Sequence, residues 1–363
     1  MKKKTRQANI ELLRIIAMLM VVTLHYLVKG GSTSSLVDNF SAINVMLWFV
    51  KALCIVAVNV YVLISGYFLL EAKWSVSRLV RLWFQVVFYS LGVPLVCLCL
   101  GVGEVEQWGM YDWINVLFPI QMEHYWFVTA YVILYIMVPV LSEGVKKLSK
   151  KQHGWLIIGL LLVFSLPKTI LPILIPIDRY GYDFGWFICL FLIAAYIRLY
   201  EIPVFKRKIT SIGIYFAAVM GSWGISVVCG LLSRKGLPFT YMMDMTYCYN
   251  HVLVLIAAVG LFYGFKYIRI PEGAISNIIC KVAPYTLGVY LLHENLAVRT
   301  KWQFWAGVEN VREGFGIFPH MFVTVIAVFV AGIMVDYVRE CIFKVVIRAW
   351  NKVFAGKIAR SKI

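Results

Sequence analysis

Three ionisable residues sit within the first apolar stretch of the chain: Glu11, Arg14 and His25. Arg14 and His25 are eleven positions apart. On a helix turning about 100° and rising about 1.5 Å per residue, that separation returns to nearly the same face after about 16 Å. Glu11 lies one turn before Arg14 on that face. One stripe of one helix therefore carries a cation near one end and, near the other, an imidazole, the side chain suited to taking a proton near neutral pH. Ionisable groups inside lipid are costly, which makes each a candidate for function. The plain alternative is that Arg14 snorkels to lipid phosphate beside Glu11 while His25 sits wet at the interface. The shared face favours function.

Three further groups compete with blander explanations. His293, followed by Glu294 and Asn295 within an apolar run, is the second histidine candidate; His124, flanked by Glu123, Tyr125 and Trp126, is a third. His251 and His320 read as interfacial rings, and His153 falls in an expected cytoplasmic loop. Arg78 and Arg81 are three residues apart on one helical face, a spacing that suits a grip on phosphates, whereas a positive loop is sufficient for Lys73. Lys51 either snorkels outward or pairs with a carboxylate. The eight cysteines form no CxxC pair and read as small apolar packing residues, so neither disulfides nor a metal site is expected.

These residues must be positioned by elements that live in a membrane. A chain of 363 residues that is 61% hydrophobic and 15% charged, with a mean hydropathy of +0.81, is an integral membrane protein. Disorder, a collagen, a secreted disulfide scaffold and a cytosolic enzyme are excluded. The apolar runs are continuous instead of alternating, so they are helices and not barrel strands. Ten spans are expected: 10–28, 42–70, 80–101, 124–141, 155–175, 184–200, 209–232, 250–268, 277–298 and 318–345. The fold class is therefore an all-α, polytopic membrane helix bundle. One domain covers residues 1–363, with a short N-terminus at 1–9 and a basic tail at 346–363. No repeat or linker divides it.

The formal charge of +17 has a topological explanation that needs no nucleic acid. Cations gather at Lys2, Lys3, Lys4 and Arg6, then at Lys73, Arg78 and Arg81, at Lys146, Lys147, Lys150 and Lys151, at Lys206, Arg207 and Lys208, and at Lys266 and Arg269. The tail adds Arg348, Lys352, Lys357, Arg360 and Lys362. The opposite connection Gly103 to Glu123 is acidic, with Glu104, Glu106 and Asp112. That asymmetry predicts both termini in the cytoplasm and a multi-pass protein of the cytoplasmic membrane. The first span is too long for a signal-peptide core, holds Glu11 and Arg14, and lacks a small-residue cleavage motif after it, so it is expected to be retained.

The same residues carry a resemblance. Asn9-Ile10-Glu11-Leu12-Leu13-Arg14-Ile15-Ile16-Ala17, with His25 after it, is similar to the first helix of the acyltransferase-3 family of membrane acyltransferases. Further matches are Ser65-Gly66-Tyr67-Phe68-Leu69-Leu70 with Arg78-Leu79-Val80-Arg81, and His124-Tyr125-Trp126-Phe127 leading to Tyr135 and Pro139. Leu287-Gly288-Val289-Tyr290-Leu291-Leu292-His293 resembles the family's late helix. The matches run in order across nearly the whole chain.

The resemblance implies a ten-helix bundle that moves an acyl group, usually acetyl, from cytosolic acyl-CoA to a hydroxyl of an extracytoplasmic glycan or lipid-linked saccharide. Some relatives append an extracellular hydrolase-like domain; none is expected here, so the bundle itself would acylate its acceptor. Acetyl-CoA is then a donor substrate, with no permanently bound cofactor, and the partners are acyl-CoA, the saccharide and membrane lipids. On this reading Arg78 and Arg81 hold the donor's phosphates, and Arg14 acts deeper on the donor arm. His25 is the general base for a sugar hydroxyl, and His293 orients the acceptor or shares the proton. Glu11, His124 and Glu294 are secondary candidates. Covalent acyl-histidine and direct transfer stay equally open. A transporter or flippase of an envelope saccharide precursor is the rival class, since ten spans with Gly/Pro-broken helices and intramembrane charge suit a carrier too; the halves show no repeat. A membrane sensor has no signalling domain in its favour.

Overall fold

Long apolar runs fold here into helices that hydrogen-bond their own backbones, and every regular element among the described residues is helical. The structure is a computed structural model that describes residues 6–171 and 179–360, with side chains as far as Arg348. Lys2, Lys3, Lys4, Lys362 and residues 172–175 of the fifth expected span lie outside the described residues, as do the side chains of Lys352, Lys357 and Arg360. In chain order the helices are α1 (Ala8–Lys29), α2 (Ala42–Cys54), α3 (Ala57–Leu69), α4 (Val76–Leu100), α5 (Met110–Leu117), α6 (Trp126–Lys147), α7 (Lys150–Phe164) and α8 (Leu166–Ile170). They continue with α9 (Phe184–Leu199), α10 (Lys208–Arg234), α11 (Thr240–Met245), α12 (Val252–Lys266), α13 (Ala274–Val282), α14 (Thr286–His293), α15 (Trp302–Trp305) and α16 (Ile317–Arg360).

Among the described residues, seven helical stretches are long and apolar enough to cross a membrane: Ala8–Lys29, Ala42–Leu69, Val76–Leu100, Trp126–Lys147, Lys208–Arg234, Ala274–His293 and Ile317–Arg348. Each coincides with an expected span. Two more expected spans, α9 and α12, are apolar but shorter, at 16 and 15 residues. They run about 24 and 22 Å, less than the hydrocarbon thickness, and most of their residues are buried by neighbouring helices. The fifth expected span is interrupted, because α7 stops at Ser165 before α8 begins.

The burial pattern orders the bundle. In α3, α9 and α12 most residues are buried, as expected of helices that are hydrophobic all round. α3 packs on α9, α12 on α10, and α1 runs among α3, α13, α14 and α16. α4 and α16 leave apolar side chains such as Leu95, Val96, Phe322 and Met334 on the outside, which suits lipid. Helix directions alternate. The Asn9 side-chain amide donates to the Phe265 and Lys266 carbonyls, joining the start of α1 to the end of α12. At the other end of α1, the Tyr26 hydroxyl bonds His320 Nδ1 near the start of α16 at 2.8 Å.

Several boundaries differ from expectation for identifiable reasons. Ser149 accepts from the Gln152 amide and the Gln152 side chain reaches back to Ser149 N, a capping box that starts α7 five residues before the expected 155. That moves His153 out of a loop and into a buried helical position, where Nε2 bonds the Leu192 carbonyl at 3.0 Å. The acidic connection holds the short helix α5, and Glu104 pairs with Lys301. The expected tail continues α16 as helix to Arg360. The ninth span ends at His293, and the chain after it runs in turns.

α14 and α16 approach unusually closely. A Cβ built on Gly288 would stand 2.3 Å from Asp336 Cβ, and one on Gly332 would stand 2.5 Å from Val289 Cα. Glycine at both positions lets the backbones meet. The buried Asp336 beside Gly288 is satisfied by Tyr89 Oη, Gln85 Nε2 and Arg339 Nε, so this seam holds α14, and with it His293, in one place.

Candidate active site

A cavity of about 1030 Å³ runs through the bundle beside α1. Its wall from α1 includes Arg14, Met18, Val21, His25 and Lys29, the face that the eleven-residue spacing marks out. α2, α3 and the turn between them contribute Lys51, Ile55, Val58, Tyr61, Ser65 and Leu69, one stripe about 27 Å long. Arg78 lies on the wall at one end; Asp244, Tyr247 and Tyr249 lie on it with Lys51. Much of the rest is aromatic, including Trp126, Tyr131, Tyr182 and Tyr290.

At the far end of the α1 stripe, two histidines meet. His25 Nδ1 is 2.9 Å from His293 Nε2, and His293 Nδ1 is 2.6 Å from the Val289 carbonyl one turn back on α14. A carbonyl only accepts, so His293 carries its proton on Nδ1 and offers a lone pair at Nε2. His25 must then donate from Nδ1, and a neutral His25 keeps its Nε2 lone pair free. That nitrogen has no hydrogen-bond partner among the described residues. His293 is fully enclosed behind His25 and does not line the cavity.

Glu294 completes the group. Its Oε2 lies 3.1 Å from His25 Nδ1, and its Oε1 is paired with the Lys29 ammonium. The carboxylate is buried and faces the cavity. A proton arriving on His25 would therefore place its positive charge beside the Glu294–Lys29 ion pair, and the network would hold the ring while it does so.

His25, His293 and Glu294 offer ligand atoms within 4.8 Å of one another, the one such grouping among the described residues. The two imidazole nitrogens are at hydrogen-bond distance, 2.9 Å, closer than the roughly 3.3 Å that a shared tetrahedral zinc at ordinary bond lengths requires. Lys29 already neutralises the carboxylate. The geometry is that of a hydrogen-bonded, ion-paired network.

The segment after α14 is clamped by the His124-Tyr125 pair. His124 Nε2 accepts from the Leu296 amide at 3.2 Å. Tyr125 Oη donates to the Leu291 carbonyl and accepts from Asn295 Nδ2, both at 2.9 Å. His124 thus acts through the backbone that carries Glu294 and does not touch the cavity. Burial, with the nearby Arg299 charge second, lowers its pKa from 6.5 to about 4, so it is neutral at physiological pH.

The remaining sequence candidates separate. Arg14 lines the cavity and pairs with Glu11 at 2.9 Å, while the Tyr61 hydroxyl holds its backbone carbonyl at 2.7 Å. Glu11 itself is buried. Arg78 and Arg81 are both exposed, but only Arg78 lines the cavity. His251 caps α12 by accepting from the Leu253 amide, and His320 ties α1 to α16.

Sequence reasoning missed Lys29 and Tyr290. Lys29 is four residues after His25, one turn along the same stripe, and that spacing was the available signal. The Tyr290 hydroxyl is buried on the cavity wall without a hydrogen bond to any described residue, which no pattern in an apolar run announces.

A family model described as an acyltransferase domain, that of the acyltransferase-3 family, matches residues 7–338. No curated protein and no solved structure matches the chain. The chain belongs to the acyltransferase-3 family, and it is a membrane acyltransferase.

Proposed function

We propose that this acyltransferase moves an acetyl group from cytosolic acetyl-CoA to a hydroxyl of an extracytoplasmic glycan or lipid-linked saccharide, with both termini in the cytoplasm and the bundle in the cytoplasmic membrane. The observation that carries the proposal is the free Nε2 of His25 on the wall of a cavity whose other end holds Arg78 and Arg14. A donor and an acceptor kept on opposite sides of a membrane can meet only in such a passage.

In this reading the nucleotide phosphates stay in cytoplasmic water near Arg78, whose guanidinium fork suits phosphate oxygens, and the thioester arm threads past Arg14. The saccharide enters from the opposite end. His25 Nε2 takes the proton of the attacking hydroxyl, whose oxygen bonds to the thioester carbonyl carbon. Glu294 Oε2, close to His25 Nδ1, faces the imidazolium. The buried Tyr290 hydroxyl is the available donor for the oxyanion. Collapse of the tetrahedral intermediate breaks the carbon–sulfur bond, and CoA leaves as the thiol with the proton that His25 returns. The same residues would serve an acyl-histidine route.

The test is transfer of radiolabelled acetyl from acetyl-CoA to a glycan fraction by purified protein in liposomes. Label appearing in the glycan is the expected result; bound acetyl-CoA with no acylated saccharide in any envelope fraction contradicts it.

A further inference from the structure

We infer that the end of the cavity away from Arg78 is a binding subsite for a neutral saccharide ring, recognised by Lys51 and Asp244. The inference rests on the acyltransferase reading above and names the acceptor class for the same site.

The Tyr61 hydroxyl bonds the Arg14 carbonyl, tying the two antiparallel spans together at that level. His25 lies about 16 Å further along α1, and Lys51 lies ten residues back along the second span, about 15 Å. Lys51 is therefore at about the depth of His25, on a different wall of the same cavity. An acceptor held by Lys51 would have its hydroxyls near the base.

The Lys51 ammonium sits 4.4 Å from the Trp48 ring centre and 4.6 Å from that of Tyr247. Neither it nor the Asp244 carboxylate makes a hydrogen bond or ion pair with a described residue. Asp244 lies three residues before Tyr247, and both line the cavity with Tyr249. The backbone here is fixed: Tyr247 Oη donates to the Trp48 carbonyl, and the buried Asn59 amide donates to that of Tyr249.

A free carboxylate can accept from two neighbouring sugar hydroxyls, and a free ammonium can donate to a third oxygen. Flat aromatic faces offer apolar surface to the C–H face of a ring. The two charges sum to zero. A ring bearing its own carboxylate or phosphate would satisfy Lys51 but repel Asp244, so the pair selects an uncharged ring.

Full-length protein in lipid nanodiscs tests this with methyl glycosides of glucose, N-acetylglucosamine and glucuronic acid, read by tryptophan fluorescence, alongside acetyl-CoA titrations by calorimetry. The neutral glycosides should bind, and Lys51→Met and Asp244→Asn should each weaken them by about tenfold or more, the loss expected for a hydrogen bond to a charged group. Acetyl-CoA affinity should stay unchanged. A variant that loses both ligands is replaced by Lys51→Gln, for which the same split is expected. Unaltered saccharide binding in the variants, preference for the glucuronide, or no glycoside binding by wild type that still binds acetyl-CoA would each overturn the inference. Failure of the acyltransferase reading is distinguishable: saccharide binds, but acetyl-CoA does not and no acetyl is transferred.

Discussion

His25 Nδ1 and His293 Nε2 are 2.9 Å apart, although 268 residues separate them in the chain. The Val289 carbonyl fixes the His293 proton on Nδ1, and that single choice passes through the contact to free the Nε2 nitrogen of His25, a residue of the cavity wall. The relation gives His293 a positioning role, exerted through another ring.

His293→Leu should therefore lower acetyl transfer by roughly ten- to a hundredfold, toward the range for a misplaced base. His293→Gln, whose amide oxygen can accept from His25 Nδ1, should recover part of that loss. Steady-state kinetics should place the change in kcat and leave acetyl-CoA affinity alone. Equal activity in the Leu and Gln variants would mean that the contact does not set the tautomer.

Arg78 and Arg81 should differ. Only Arg78 lines the cavity, so Arg78→Ala should weaken acetyl-CoA binding by about tenfold or more, the scale of a charge-assisted contact. Arg78→Lys should rescue in part because a lysine lacks the fork. Arg81→Ala should bind nearly as wild type. Calorimetric titration of the three variants checks this, and an equal loss at both arginines would place the phosphates outside the cavity mouth.

The run of apolar helices and the Arg14–His25 stripe were legible in the sequence because hydropathy and the helical period are local properties. The meeting of His25 with His293 and Glu294 was not, since it depends on how α1 packs against α14. The Arg78/Arg81 pair shows how angle limits such reading: three residues on a helix leave about 60° between side chains, enough to put one on the cavity wall and turn the other outward. Gly288 was visible only as part of a motif. Its reason, the close approach of Asp336, belongs to the tertiary packing.

That packing is testable at Gly332, where a Cβ would meet the Val289 backbone at 2.5 Å. Gly332→Ala should cost roughly 1–3 kcal/mol by forcing α14 and α16 apart, seen as a thermal midpoint lower by a few degrees. Acetyl transfer should fall as well, because α14 carries His293. An unchanged midpoint would show that the seam yields without cost.

The His124 clamp predicts a pH dependence. Its pKa is about 4 in the fold against 6.5 when unfolded, so the unfolded chain takes up the proton first as pH falls. The contribution of neutral His124 is fully present above pH 6.5 and is lost between there and pH 4, up to about 3 kcal/mol. Thermal midpoints at pH 7 and pH 5 should differ less in His124→Gln than in wild type. The same slope in both would remove His124 from the account.

The central claim, that His25 is the base, is tested most directly by measuring acetyl transfer and acetyl-CoA binding together for wild type and His25→Ala in liposomes. The account predicts transfer lowered by about a hundredfold or more with acetyl-CoA binding retained. Transfer near the wild-type rate by His25→Ala would contradict it.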